Sequence, residues 1–145
     1  MTNLEVIQTW MHRVWWQQEE NAIEEMFFPD GTAHGLGEEM IGPEDFKVFH
    51  QHLLCHIDKV QVKVSKHFQE GSWSSVLCQL ECIKRGDPSH KLKITGSIFL
   101  RIENDKIVEA YNHFDFIGLF EQLGVLSEGT FDKCLCGDKK LETQD

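Results

Sequence analysis

At Ile57 the hydrophobic pattern of this chain changes period, and that change restricts its fold more than any other feature. Before it, apolar residues recur at helical spacing: Leu4, Ile7, Met11 and Val14, then Ala22, Ile23 and Met26, then Phe46, Phe49, Leu53, Leu54 and Ile57. After it they alternate, with Val60, Val62 and Val64 set between Lys59, Gln61 and Lys63. Val76, Cys78, Leu80 and Cys82 mark a second strand, and Leu92, Ile94, Ile98, Leu100 and Ile102 a third. Asn104-Asp105 supports a tight hairpin into a fourth, Lys106 to Phe114. Helices followed by a meander of strands, in a chain of 145 residues, describe one α+β domain around one core.

Local signals punctuate this order. The first helical region reads as one long or bent helix, ended by Phe27-Phe28-Pro29-Asp30-Gly31, after which Thr32-Ala33-His34 begins a short strand. Gly42 at the cap, Pro43 at the first position and Glu44-Asp45 in the first turn start the second helix. The turn-rich Arg85-Gly86-Asp87-Pro88-Ser89 separates the second and third strands. Phe116–Leu123 reads as a short helix closed by Gly124. The domain is expected to occupy residues 1–126, with 127–145 as a polar, loosely attached tail.

Charge and cysteine content bound the function. A net charge of −10 argues against nucleic acid and anionic membranes as partners, because both are held by clustered Lys and Arg. No apolar run reaches the 18 or so residues of a membrane span, and Met1-Thr-Asn-Leu-Glu5 does not start like a signal peptide. Five cysteines without a framework suit free thiols in a reducing compartment, so a cytoplasmic location is expected. Cys78 and Cys82 share a strand face but stand roughly 13 Å apart, too far for a disulfide. Cys134 and Cys136 read as exposed thiols in the tail. His52 and His56 are four apart on a helix, but His52 faces away from the apolar stripe and no third ligand converges with them. No metal and no cofactor is expected, since no Gly-rich phosphate loop appears either.

Particular residues resemble a known family. Trp15-Trp16 followed by the polar run Gln17–Asn21 and then Ala22-Ile23-Glu24-Glu25-Met26 is similar to the first-helix pattern of the SnoaL-like branch of the nuclear transport factor 2-like superfamily. His34 on the first strand, Ile41-Gly42-Pro43-Glu44-Asp45-Phe46, the hairpin from Arg101 to Asp115, and Gln122-Leu123-Gly124 resemble the same branch, over residues 4–124. The resemblance implies a cone-shaped α+β barrel, in which a curved, mostly antiparallel sheet wraps around the N-terminal helices and encloses a pocket for a small, largely apolar ligand. It also implies a homodimer formed through the outer sheet face. The middle strands depart from the cyclase pattern: where Gly-Thr-His is common, this chain reads Ile94-Thr95-Gly96-Ser97-Ile98.

On the family pattern Asp115 is the candidate acid or base, with His34 reaching the cavity from the opposite wall. A carboxylate among apolar walls has its pKa raised, which suits proton exchange with a carbon acid in isomerisation or ring closure. Asp115 also directly precedes Phe116-Ile117-Gly118-Leu119 and can equally cap that helix. If no bulge intervenes, Ile107, Glu109, Tyr111, His113 and Asp115 share one face of the last strand, which makes Tyr111 and His113 candidate ligand contacts; a bulge would exchange part of that set. His113 reads alternatively as a structural histidine. Trp15 is expected to serve both core and pocket wall, and Arg101 to hold a ligand oxygen unless Glu103 or Glu109 occupies it. The reading that competes with an acid–base enzyme is a non-catalytic binding or assembly module. An ionisable group facing apolar cavity walls is what separates them.

Overall fold

The computed structural model describes residues 1–37 and 39–137. Helix α1 (Asn3–Trp10) opens with a capping box: Thr2 Oγ1 accepts from the Glu5 N–H at 3.1 Å and Glu5 Oε1 accepts from the Thr2 N–H at 3.1 Å. The helix then widens into a π-helical segment, Met11–Trp16, which ends where Gln18 takes a positive φ of 57°. Helix α2 (Glu20–Met26) resumes beyond the break. The one long or bent helix expected from the sequence is thus two helices with a π-helical segment between them. Arg13 clamps the break, reaching Glu19 at 2.8 Å and Glu25 at 2.7 Å.

Strand β1 (Phe27–His34) follows, longer than expected, and then helix α3 (Pro43–Leu54), with Gly42 at its cap and Pro43 first, as the sequence indicates. Strands β2 (Ile57–Glu70), β3 (Trp73–Lys84), β4 (Asp87–Glu103) and β5 (Lys106–Phe114) form the meander. The β3–β4 turn is tighter than its composition implies. Asp87 already pairs with Lys84, and Pro88 stands near the start of β4, where a missing N–H costs little. The sheet order is β1-β5-β4-β3-β2, antiparallel except that β1 lies parallel to β5. Helix α4 (Phe116–Leu123) closes on Gly124, whose φ of +81° provides the left-handed C-cap. Part of the expected tail is ordered as helix α5 (Thr130–Leu135), although none of its residues is buried; Cys134 and Cys136 are exposed thiols there. The remainder of the tail reading, 138–145, lies outside the described residues.

One face of the sheet packs against α1, the π-segment, α2 and α3. Val6, Val14, Ile23, Ile57, Val60 and Leu119 are fully sealed in this core. Cys78 and Cys82 are buried with them, and burial pushes both thiols up to about 11. Among the described residues, no helix is long and apolar enough to cross a membrane.

His50 ties two layers together. Its Nε2 lies 2.7 Å from the Val14 carbonyl, which has lost its helical partner at the end of the π-segment. A carbonyl can only accept, so Nε2 carries the hydrogen. Burial holds the His50 pKa below its ordinary value of 6.5, against smaller opposing effects of the Val14 hydrogen bond and Glu20. The unfolded chain therefore takes up the proton more readily than the folded one. Stability is held above 6.5 and lost as pH falls through the depressed folded-state value. Urea midpoints should fall between about pH 7.5 and about pH 5.5, and His50→Gln should flatten that fall. An unchanged pH response in the variant would assign it to other groups.

Candidate functional site

Between the helices and the inner sheet face lies a cavity. It leaves about 60 Å³ over which the centre of a water molecule can move. A single water needs roughly 10–15 Å³ on this measure, so the space suits a small organic molecule rather than one solvent site. Trp10, Met11 and Trp15 approach it from the first helical region, and Phe46, Phe49 and Leu53 from α3. The rings of Trp10, Phe27 and Phe46 meet at centroid distances of 5.3–6.1 Å, mostly edge to face, and Trp15 joins Phe46 and Phe49 at 6.3 Å. Leu80, Ile98 and Leu100 form the floor.

Strand β5 supplies the last wall, and a bulge decides which residues it presents. Arg101 pairs with Glu109 but Ile102 pairs with Ile107, leaving Val108 as an extra residue. Ile107 faces inward, and after the bulge so do Ala110, Asn112 and Phe114. Glu109, Tyr111 and His113 fall on the outer face. The unbulged face that would bring Tyr111, His113 and Asp115 into the pocket is therefore not the one the strand presents. Phe114 reaches inward because Gly96 lies opposite it; a Cβ on Gly96 would stand 2.2 Å from the Phe114 ring.

The expected site residues divide accordingly. Trp15 is buried and lines the cavity. His34 lies outside, its ring stacked on Tyr111 at 4.4 Å and 13° across the β1–β5 pair, because Ala33 takes the inward position. The Tyr111 hydroxyl donates to Glu109 Oε1 at 2.5 Å, and this bond, with Arg101 beside it, holds the Glu109 carboxyl below its usual range. Arg101 is engaged by both expected surface partners, Glu103 at 3.1 Å and Glu109 at 3.4 Å. His113 is exposed. His52 and His56 are exposed too, and no group of three or more His, Cys, Asp or Glu among the described residues is placed to hold a metal ion.

Asp115 is exposed at the start of α4, where Oδ1 accepts from the Gly118 N–H at 2.9 Å. It does not line the cavity. Its capping geometry makes an expectation: Asp115→Asn keeps an oxygen for Gly118 and should leave stability nearly unchanged, whereas Asp115→Ala should cost about 1 kcal/mol. Denaturant titration separates the two. Equal loss in both variants would mean that the carboxylate charge, rather than the cap, stabilises this turn.

The residue that sequence reasoning passed over is Asn112. Among the described residues it is the cavity's one polar lining side chain. Its Nδ2 donates to the His34 carbonyl at 3.0 Å. Because a carbonyl cannot donate, the amide has only one orientation available, with Oδ1 away from His34. Its signal in the sequence is a lone amide between Ala110 and Phe114 on one alternation face, legible only once the bulge is known.

The family model for SnoaL-like polyketide cyclases matches residues 5–123. No curated protein gives a significant match. Among solved structures, IdmH from Streptomyces antibioticus superposes with a TM-score of 0.71 at 17% identity, over 86% of this chain and 100% of its own. A hypothetical protein of ketosteroid isomerase-like fold from Catenulispora acidiphila, in complex with trimethylamine, gives 0.70 at 20% identity, over 83% and 92%. TsrD from Streptomyces laurentii gives 0.68 at 13%, over 85% and 95%. At these identities the likeness is one of fold.

Proposed function

The chain belongs to the SnoaL-like polyketide cyclase family, and from that membership we propose that it binds a small, largely apolar molecule in the cavity without using an acid or base from the cavity wall. The observation that carries this reading is the lining itself. Among the described residues, every lining side chain is apolar or aromatic except the amide of Asn112, and none is ionisable. A desolvated carboxylate or imidazole within reach of the ligand is what acid–base isomerisation requires. Asp115 and His34 support that chemistry less well, since one caps α4 from an exposed position and the other stacks on the outer face. Burying an apolar ligand against these walls is favourable by about 25 cal/mol per Å² removed from water.

Single-ring apolar compounds should raise the unfolding temperature and perturb tryptophan fluorescence, because Trp10 and Trp15 line the space. A ligand at a hundred times its Kd stabilises by about 2.7 kcal/mol, well within reach of a thermal scan. Ala110→Phe, which fills the cavity from β5, should abolish the shift. A shift that survives this substitution would place binding elsewhere, and turnover abolished by Asp115→Asn would restore the acid–base reading.

We also propose a homodimer through the outer sheet face. That face exposes Phe68, Leu77 and Phe99, with Trp73 stacked on Phe99 at 4.8 Å and Arg101 over the Trp73 ring at 6.0 Å. Light scattering at micromolar concentration decides between this and a monomer.

A further inference from the structure

Resting on the binding reading above, the geometry points to a ligand that is not a pure hydrocarbon or ether but carries a hydroxyl or N–H donor, delivered to Asn112 Oδ1. The His34 carbonyl holds the Asn112 amide by its nitrogen, so the oxygen is the group left for another partner. Among the described residues no protein donor meets it. Trp10 and Trp15 add only indole N–H groups, which donate, so among the described residues Asn112 supplies the one side-chain oxygen in the lining. Turning the amide over would set its oxygen against the His34 oxygen. The backbone beneath is equally constrained: Gly35, at φ +86°, passes so close that a Cβ there would stand 1.9 Å from the Asn112 carbonyl oxygen.

Asn112 is half-buried, so solvent reaches the amide when the cavity is open. A ligand entering beside it displaces that solvent. If the ligand offers a donor, the lost hydrogen bond is replaced; if it offers a methyl group or an ether oxygen, Oδ1 is left unpaired and affinity falls. A monocyclic phenol or a similarly compact alcohol meets both requirements, with an apolar body for the aromatic walls and a donor for the amide.

Three probes of similar shape test this: p-cresol, p-xylene and 4-methylanisole, titrated by calorimetry into wild type and Asn112→Leu. In wild type, p-cresol should bind at least as tightly as p-xylene despite the hydration its hydroxyl gives up, and more tightly than 4-methylanisole. In Asn112→Leu the ratio of the p-cresol to the p-xylene Kd should rise by about tenfold, the worth of one hydrogen bond at the upper end of its usual range. If that variant does not fold, the order of the three probes on wild type decides. Binding of 4-methylanisole as tight as that of p-cresol, or a cresol-to-xylene ratio equal in both proteins, overturns the donor requirement while leaving the binding reading intact. Failure of all three probes to bind ends both.

Discussion

A chain carrying Phe46→Ala should lose about 3–5 kcal/mol of stability while gaining room for a larger ligand. Phe46 is 5% exposed and stands at the centre of the aromatic cluster, with Trp10 at 5.3 Å, Phe27 at 5.8 Å, Phe49 at 5.9 Å and Trp15 at 6.3 Å between ring centroids. Its removal forfeits the transfer energy of the ring and leaves the facing rings with no partner atoms on one side. Collapse is limited, since those rings come from α1, the π-segment, β1 and α3, which are held by separate backbone ladders. The vacated space adjoins the existing cavity, so two-ring compounds excluded from wild type should bind the variant. Denaturant midpoints measure the first effect and calorimetry with naphthalene-sized probes the second. A loss below about 1 kcal/mol would show that the cluster closes over the gap and that the aromatic walls are mobile.

Gly35→Ala should cost more than about 3 kcal/mol, combining the backbone strain of a non-glycine residue at positive φ with a steric conflict that no side chain can relieve. The obstructing atom is the Asn112 backbone oxygen, 1.9 Å from the position of a Cβ on Gly35, so β1 and β5 would have to separate. That movement also breaks the bond from Asn112 Nδ2 to the His34 carbonyl and releases the amide into the cavity. Gly86→Ala serves as the control. Gly86 also has positive φ, +81°, but nothing lies within 4 Å of its would-be Cβ, so only the backbone cost of about 1–2 kcal/mol applies. Equal destabilisation by the two substitutions in thermal or urea unfolding would remove the close approach from the account.

The helices were legible in the sequence where local chemistry sets them. Gly42-Pro43 with Glu44-Asp45 marks the start of α3, and Gly124 the end of α4, because a cap depends on residues within a turn of itself. The π-turn at Met11–Trp16 was not. Either an α-turn or a π-turn keeps Met11, Val14 and Trp15 together, and the choice rests on a partner 36 residues away, His50, which satisfies the freed Val14 carbonyl.

The cavity divides in the same manner. Trp15 was recognised because a large aromatic at helical spacing faces the core in almost any packing of this helix. Tyr111 and His113 were assigned to the pocket on an alternation that the Val108 bulge displaces by one residue, and one residue exchanges the two faces of a strand. His34 was assigned to it by the family resemblance, and Ala33 takes the inward position on β1. Both Ile107 and Val108 are apolar, so nothing local says which of them is the extra one. By itself the sequence determined the order of elements, the α+β class and an apolar interior, since periodicity and capping are properties of neighbouring residues. Only the tertiary structure decided that Asn112 rather than Tyr111 or His113 faces the cavity, because strand register is set by the pairing of β5 with β4 and with β1, through hydrogen bonds to residues distant in the chain.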